Sequence, residues 1–127
     1  MKLTSILAHI QSFVADLLGR GFAVWLIGSQ ANPTGKPPAD WDFMVFGNEA
    51  LLDELSSQQP ITDADPLIVF DGVAFKSPWP RASDGVIKTG SLTNWKWQQI
   101  SEESASYEGT KWPHDWGSPK RAIRVRR

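Results

Sequence analysis

Residues 23–29 read AVWLIGS, and after a spacer of ten residues, residues 40–46 read DWDFMVF. The first stretch is an apolar run rich in β-formers that ends in a Gly-Ser pair, which predicts a buried strand followed by a tight turn. The second stretch begins with two aspartates and continues as an apolar run, which predicts a second strand. Residues 30–39 contain three prolines and one glycine, so we expect a loop between the strands.

The two aspartates of the second stretch, Asp40 and Asp42, share one face of the expected strand, because side chains alternate between faces. Their carboxylates would lie roughly 6–7 Å apart, and at an effective dielectric near 20 their repulsion would cost about 2.5 kcal/mol. A hard cation between them offsets this repulsion. Mg²⁺ prefers oxygen ligands and often bridges one or two carboxylates to substrate phosphates, so the pattern indicates a magnesium site.

The turn before the spacer has features of a phosphate-binding loop. Gly28 has no Cβ to keep a phosphate away from the backbone, and N–H groups there, together with the Ser29 hydroxyl, would hold phosphate oxygens. Lys36, in the spacer, would reach a phosphate as a point charge. The alternative for these three residues is a plain strand-ending turn followed by a solvated loop lysine.

The ordered combination of an apolar residue, Gly28-Ser29, the spacer and Asp-apolar-Asp-apolar at residues 40–43 resembles the signature of the DNA polymerase beta-like nucleotidyltransferases. The resemblance covers residues 20–72. It implies an α/β, nucleotidyltransferase-like fold with a mixed sheet and helices. It also implies transfer of a nucleoside monophosphate from a nucleoside triphosphate to a hydroxyl acceptor, with Mg²⁺ or Mn²⁺ as cofactor and Asp40 and Asp42 as catalytic metal ligands.

A third metal-binding carboxylate is implied by the same resemblance, on the strand after the second helix. Asp65 fits this position because the apolar run at residues 67–70 follows it, although Pro66 departs from the apolar-Asp-apolar pattern of the family. Asp63 and Asp71 are the alternatives, and Asp71 is also explained as a turn residue. We therefore expect Asp40, Asp42 and Asp65 as the catalytic and metal-binding set.

Helix and turn signals place further elements around these strands. Apolar residues recur at three- and four-residue spacing over residues 3–18, which predicts an amphipathic helix ended by Gly19 and Gly21. Asn48 is expected to cap a second helix. Asp71-Gly72 predicts a type I′ turn, with residues 73–75 returning as a hairpin strand.

The chain beyond residue 76 reads as a strand-rich, tryptophan-rich extension of a single domain that spans residues 1–127. Strands are expected at residues 86–89, 94–100 and 122–125, with Trp95 and Trp97 on one strand face. The seven tryptophans exceed what a core of this size usually absorbs. We therefore expect some of them, after Pro78, to form an exposed patch that joins a second copy or another protein, the alternative being a small core within one monomer.

Composition limits the remaining functions. The chain has 127 residues, 41% of them hydrophobic, a net charge of −1 and no cysteine, which excludes disulfides and thiolate metal sites and fits a cytoplasmic protein. The N-terminus does not resemble a signal peptide, and no segment has the length of a membrane span, so no membrane partner is expected. A nucleic-acid partner has little support beyond the basic tail at residues 120–127.

A second function class remains open at this point. Small stand-alone proteins that resemble this family include antitoxin halves of two-protein systems and copies that have lost activity and only bind. The alternative to an enzyme is therefore a nucleotidyltransferase-like binding module, such as an antitoxin-like regulatory partner. The position of the third carboxylate separates the two classes, because catalysis becomes doubtful if neither Asp65 nor Asp63 can lie beside Asp40 and Asp42.

Overall fold

The computed structural model describes residues 1–33, 35, 40–81, 84–109 and 119–127. Its helices are Ala8–Gly19 (α1), Gly28–Ala31 (α2) and Glu49–Ser56 (α3), preceded by a 3₁₀ turn at Leu3–Ser5. Its strands are Ala23–Ile27 (β1), Trp41–Phe46 (β2), Ala64–Val69 (β3), Ala74–Lys76 (β4), Thr89–Ser91 (β5), Gln98–Gln99 (β6), Ser104–Tyr107 (β7) and Lys120–Arg124 (β8).

The strands of the described residues form one mixed sheet in the order β5-β4-β3-β2-β1-β8-β7-β6. β2 pairs parallel with β3 and antiparallel with β1, and the remaining pairs of named strands are antiparallel. The two outermost strands, β5 and β6, follow each other in the chain, so the sheet curls back toward itself. An α/β domain with a mixed sheet and a strand-rich C-terminal part is confirmed, whereas the nucleotidyltransferase-like arrangement stays a proposal.

One face of the sheet is covered by α1 and α3, whose apolar stripes supply the first hydrophobic core. The expected cap of α3 is confirmed, because the Asn48 side chain accepts a hydrogen bond of 2.8 Å from the Leu51 N–H. The expected helix over residues 3–18 is only partly correct. Ile6 and Leu7 have extended backbone angles, and α1 begins at Ala8.

The other face of the sheet carries a second core made of aromatic side chains, here called the aromatic cluster. Its rings belong to Trp25, Phe46, Phe75, Trp95, Trp97 and Tyr107. Trp95 lies over Tyr107 with ring centroids 5.4 Å apart. Bulky rings fill this face, because no helix of the described residues contributes a side chain to this core.

The expected exposed tryptophan patch does not occur among the described tryptophans. Trp79 and Trp95 are buried, and Trp97 is half-buried within the aromatic cluster. Trp112 and Trp116 lie outside the described residues. The interpretation that some of these rings form a core within one monomer therefore fits the described part of the chain better than the exposed patch.

Three details of the C-terminal part differ from expectation. Residues 92–96 form a turn in which Lys96 has a φ of 54°, so Trp95 and Trp97 do not share a strand face. β7 was not expected, since its sequence SASY is short and polar. β5 begins at Thr89, where the predicted strand ends.

The Asp71-Gly72 turn is wider than a type I′ turn. Gly72 has a positive φ, but Asp71 does not, and a type I′ turn requires both. The Asp71 carboxylate instead accepts hydrogen bonds from the N–H groups of Val73 and Ala74, at 2.9 Å and 2.6 Å. The hairpin between β3 and β4 is confirmed.

Among the helices of the described residues, none combines the length and the apolar character that crossing a membrane requires.

Candidate functional site

Three strand ends meet at one edge of the sheet and bring the sequence motif together. β1 ends at Ile27, which pairs with Asp42 of β2, and Asp42 pairs in turn with Asp65 of the parallel strand β3. Neighbouring residues at the same level of adjacent strands point to the same face, and adjacent strands lie about 4.8 Å apart. Asp42 and Asp65 therefore lie side by side, next to Gly28, where the short helix α2 replaces the expected tight turn and the first two residues of the expected loop.

Glycine is the only residue type that fits at position 28. The φ of Gly28 is 71°, a left-handed conformation that favours glycine. A Cβ built at this position would lie 2.2 Å from Oδ2 of Asp42, which is far inside van der Waals contact. The Gly28 backbone thus packs directly against the Asp42 carboxylate, whereas the sequence suggested a close approach to a phosphate.

The surroundings of Asp42 disfavour its ionised form. Partial burial, followed by the negative charges of Asp65 and Asp40, raises the pKa of Asp42 to about 7. The cations Arg81 and Lys88 act in the opposite direction, but they do not offset the rise. A carboxyl with a pKa near neutrality ionises readily when a further cation approaches.

Asp40 is the remaining carboxylate of the expected set, beside Asp42 and Asp65. Asp40 directly precedes β2, is half-buried, and contributes its charge to the pKa of Asp42. Within the described residues, however, no three His, Asp or Glu side chains form a group that could hold a metal ion. Asp40 thus lies near the pair without completing a preformed three-carboxylate cluster.

The two alternatives to Asp65 lie elsewhere. Asp63 has a φ of 67°, and its carboxylate lies 3.5 Å from Nε2 of His9. The Asp71 carboxylate accepts hydrogen bonds within its own turn, as described above. Of the three candidates for the third carboxylate, the structure therefore places Asp65 beside Asp42, as the sequence favoured, even though Pro66 interrupts the expected pattern.

A pocket of about 150 Å³ opens beside the two carboxylates, here called the carboxylate pocket. Three basic side chains line it together with Asp42 and Asp65: Arg81, Lys88 and Lys120. Sequence reasoning missed all three as site residues. They come from a loop after β4, the segment before β5 and the start of β8, so no local motif could have brought them together.

Two of these cations have partners within the fold. The Arg81 guanidinium donates to both carboxylate oxygens of Asp84, at 2.7 Å and 3.4 Å. The Lys88 ammonium lies 4.8 Å from the ring centroid of Trp95, in the geometry of a cation–π contact. Both side chains are therefore held at the wall of the carboxylate pocket and are not extended into solvent.

Tyr107 is a further site residue that the sequence did not reveal. Its hydroxyl accepts a hydrogen bond of 2.9 Å from the Gly28 N–H, and burial raises its pKa to about 12. The Gly28 N–H, which was expected to hold a phosphate, is therefore already engaged. Ser29 lies half-exposed in α2, and Lys36 falls outside the described residues.

One buried donor beside the pocket has no hydrogen-bond partner within the described part of the chain. Trp95 is 4% exposed and lines the carboxylate pocket, and its fully buried indole Nε1 is the atom without a partner. Buried donors are normally satisfied by protein, water or ligand. The pocket itself combines two carboxylates and three cations, a set of groups suited to an anionic ligand together with a metal ion.

No match to this chain was found among protein-family models, curated proteins or solved structures.

Proposed function

We propose that the protein is a metal-dependent nucleotidyltransferase that moves a nucleoside monophosphate from a nucleoside triphosphate to a hydroxyl acceptor. The observation that carries this proposal is the placement of Asp42 and Asp65 at the same level of two parallel strands. Gly28 lies so close to this pair that an added Cβ would be 2.2 Å from Oδ2 of Asp42. The Gly-Ser turn and the paired aspartates of the sequence motif imply the same arrangement, so the motif and the strand register support the proposal together.

The donor set fits Mg²⁺ or Mn²⁺ bound in a substrate-dependent way. Mg²⁺ is usually held by one or two carboxylates, with substrate phosphates and water completing its shell. Asp42 and Asp65 would supply the two carboxylates, and Asp40 lies close enough to raise the pKa of Asp42. When bound, the ion would neutralise charge on the phosphate oxygens and orient them for an in-line displacement.

The basic side chains of the carboxylate pocket would hold the phosphate chain. The pocket volume of about 150 Å³ is smaller than the ~300–1,000 Å³ typical of whole-ligand sites, so the nucleoside would lie outside it. Lys88 and Lys120 bring positive charge to the leaving phosphates, which supports the departure of pyrophosphate.

The proposal is tested by titrating the protein with Mn²⁺ and a non-hydrolysable ATP analogue while recording amide NMR spectra. Paramagnetic broadening should centre on residues around Asp42 and Asp65, and it should strengthen when the analogue is added. Asp42→Asn and Asp65→Asn should weaken this binding at least about tenfold, since each removes a charged ligand worth ~1.5 kcal/mol or more. Asp53→Asn, on the exposed side of α3, is the matched control. Broadening spread evenly over surface carboxylates would reject the metal site.

A second candidate is a binding module without catalysis, such as an antitoxin-like regulatory partner. Two observations favour it. The positive charges of Arg81 and Lys88 already act to lower the pKa of Asp42. The Gly28 N–H already donates its hydrogen bond to the Tyr107 hydroxyl. Such a module would bind a nucleotide equally well with and without Mn²⁺. The titration described above therefore separates the two functions.

The proposal includes a cytoplasmic location, which the lack of cysteine supports without deciding. A second copy or a partner protein that helps to hold the acceptor is also part of it. Size-exclusion chromatography with light scattering, at several protein concentrations, would test the second copy.

A further inference from the structure

A groove lies beside the carboxylate pocket and is here called the proline groove. It has a volume of about 330 Å³, within the range of small-molecule sites. Its walls are mainly apolar and are formed by Pro60, Ile61, Ala64, Trp79 and Pro80. A second depression of about 470 Å³ shares Pro60, Trp79 and Pro80 and extends toward Ile87, which is 45% exposed.

Asp65 lines both the proline groove and the carboxylate pocket. Of the proposed metal pair, Asp65 alone is among the residues that line both cavities. A molecule in the proline groove and a nucleotide in the carboxylate pocket would therefore both lie against this residue. This is the arrangement that a transfer reaction between two substrates requires.

The two cavities differ in charge. Arg81, Lys88 and Lys120 line the carboxylate pocket, whereas none of the described residues that line the proline groove is a lysine or an arginine. The charged groups of the groove are Asp63 and Asp65, with the His9 imidazole 3.5 Å from Asp63. The cavity with cations suits phosphates, and the apolar, acidic groove suits a ligand that is positively charged.

We infer that the proline groove binds the acceptor, and that the acceptor is a compact amino alcohol with an apolar body. The inference rests on the proposed nucleotidyl transfer. The apolar body would pack against Pro60, Trp79 and Pro80, the ammonium group would lie near Asp63, and the hydroxyl would reach toward Asp65.

The reaction balances without a further reactant. The acceptor hydroxyl oxygen forms a bond to the α-phosphorus, and the bond from that phosphorus to its bridging oxygen breaks. Pyrophosphate leaves from the carboxylate pocket. The hydroxyl proton passes to the Asp65 carboxylate or to water at the junction of the two cavities.

The test uses three probes with one apolar body and different charges: phenylalaninol, 3-phenylpropan-1-ol and phenyllactate. Each is titrated into the whole protein without metal or nucleotide, and amide and indole NMR shifts are recorded. Phenylalaninol should shift the signals of Ile61, Ala64 and Trp79. It should bind more tightly than the neutral alcohol, and at least about tenfold more tightly than phenyllactate, because the Asp63 and Asp65 carboxylates attract one probe and repel the other.

Asp63→Asn should weaken phenylalaninol binding about two- to fivefold, the loss expected for a partly exposed ion pair, and should leave the neutral alcohol unchanged. Pro80→Lys, at an exposed position, adds a positive charge to the groove and should narrow the preference for phenylalaninol over phenyllactate. Asp53→Asn on α3 is the control and should alter none of the three affinities. Since all three positions are at least partly exposed, the variants should fold.

Each outcome decides the inference. Equal affinity for the three probes, no binding at all, or shifts confined to the carboxylate pocket would overturn it while leaving the proposed function intact. Phenylalaninol binding in the groove of a protein that binds no Mn²⁺–nucleotide complex would instead refute nucleotidyl transfer, and with it the acceptor role. Binding of both ligands, with phenylalaninol in the groove, supports the inference.

Discussion

The Tyr107 hydroxyl, at the end of β7, accepts a hydrogen bond of 2.9 Å from the backbone N–H of Gly28, 79 positions earlier in the chain. A second pair of hydrogen bonds, between Asn32 and Arg121, also joins the two halves of the chain. Asn32, just after α2, donates to the Arg121 carbonyl at 2.9 Å and accepts from the Arg121 N–H at 2.8 Å. The strand-rich C-terminal part thus holds the Gly-Ser turn in place against Asp42, and both halves of the chain build the site.

Tyr107→Phe should lower the free energy of unfolding by about 1–2 kcal/mol. The ring can keep its stacking on Trp95, but the partly buried Gly28 N–H loses its acceptor. Urea denaturation measures the loss, and hydrogen exchange at Gly28 should accelerate more than exchange elsewhere in β1. An unchanged Gly28 exchange rate would mean that the hydroxyl does not hold the turn.

Gly28→Ala and Gly72→Ala form a matched pair. Both glycines have a positive φ, at 71° and 89°, so an alanine at either position should cost about 1–2 kcal/mol. Only at Gly28 would the new Cβ meet a neighbour, because nothing lies within 4 Å of the equivalent atom at Gly72. Gly28→Ala should therefore be the more destabilising by at least about 1 kcal/mol.

The double variant Gly28→Ala with Asp42→Ala is the control for that contact. Removing the Asp42 carboxylate eliminates the atoms nearest to the new Cβ and should restore part of the stability lost in Gly28→Ala. The Asp42 Cβ, at 3.0 Å, would still be in close contact with it. Equal losses for Gly28→Ala and Gly72→Ala in thermal or urea denaturation would contradict the close approach.

Asp42→Asn should remove a pH dependence of stability. The pKa of Asp42 is about 7 in the folded protein and near 3.8 when unfolded, so the folded state holds the proton more tightly. As pH rises from about 4 to 7 the unfolded state releases this proton first, and the free energy of unfolding falls; above about pH 7 the contribution is constant. At pH 8 the variant should be more stable than the wild type by about 2–4 kcal/mol.

The measurement is the difference between variant and wild type in urea denaturation at several pH values, because other titrating groups cancel in that difference. Asp53→Asn, at an exposed position of α3, should show a flat difference over the same range. A flat difference for Asp42→Asn as well would show that Asp42 ionises as freely in the folded protein as in the unfolded chain.

Lys120→Gln should weaken binding of the ATP analogue about tenfold, because it removes one charge-assisted contact worth ~1.5 kcal/mol. Lys120 lines the carboxylate pocket, whereas Lys96 is exposed in a turn with its ammonium 3.5 Å from Glu108. Lys96→Gln is therefore the control and should leave the affinity unchanged. Isothermal titration calorimetry in the presence of Mn²⁺ makes the comparison; equal effects of the two substitutions would show that general charge, and not the pocket, attracts the nucleotide.

Local sequence determined the elements that carry the motif. β1 and β2 follow from two apolar runs of β-forming residues around a proline-rich spacer, and the α3 cap follows from the preference of Asn48 for that position. The family resemblance also favoured Asp65 over Asp63 and Asp71, and the parallel pairing of β3 with β2 places Asp65 at the level of Asp42. These features depend on residues close together in the chain or on one simple connection.

Tertiary structure alone decided how the site is completed. Arg81, Lys88, Tyr107 and Lys120 reach the pocket from separate segments, and their convergence depends on the order of strands in the curled sheet, which no local periodicity encodes. The same holds for Gly28: its sequence suggested a free phosphate-binding N–H, but Tyr107 occupies that N–H. Long-range packing sets which donors remain available, because a buried polar group takes whichever partner the fold brings within reach.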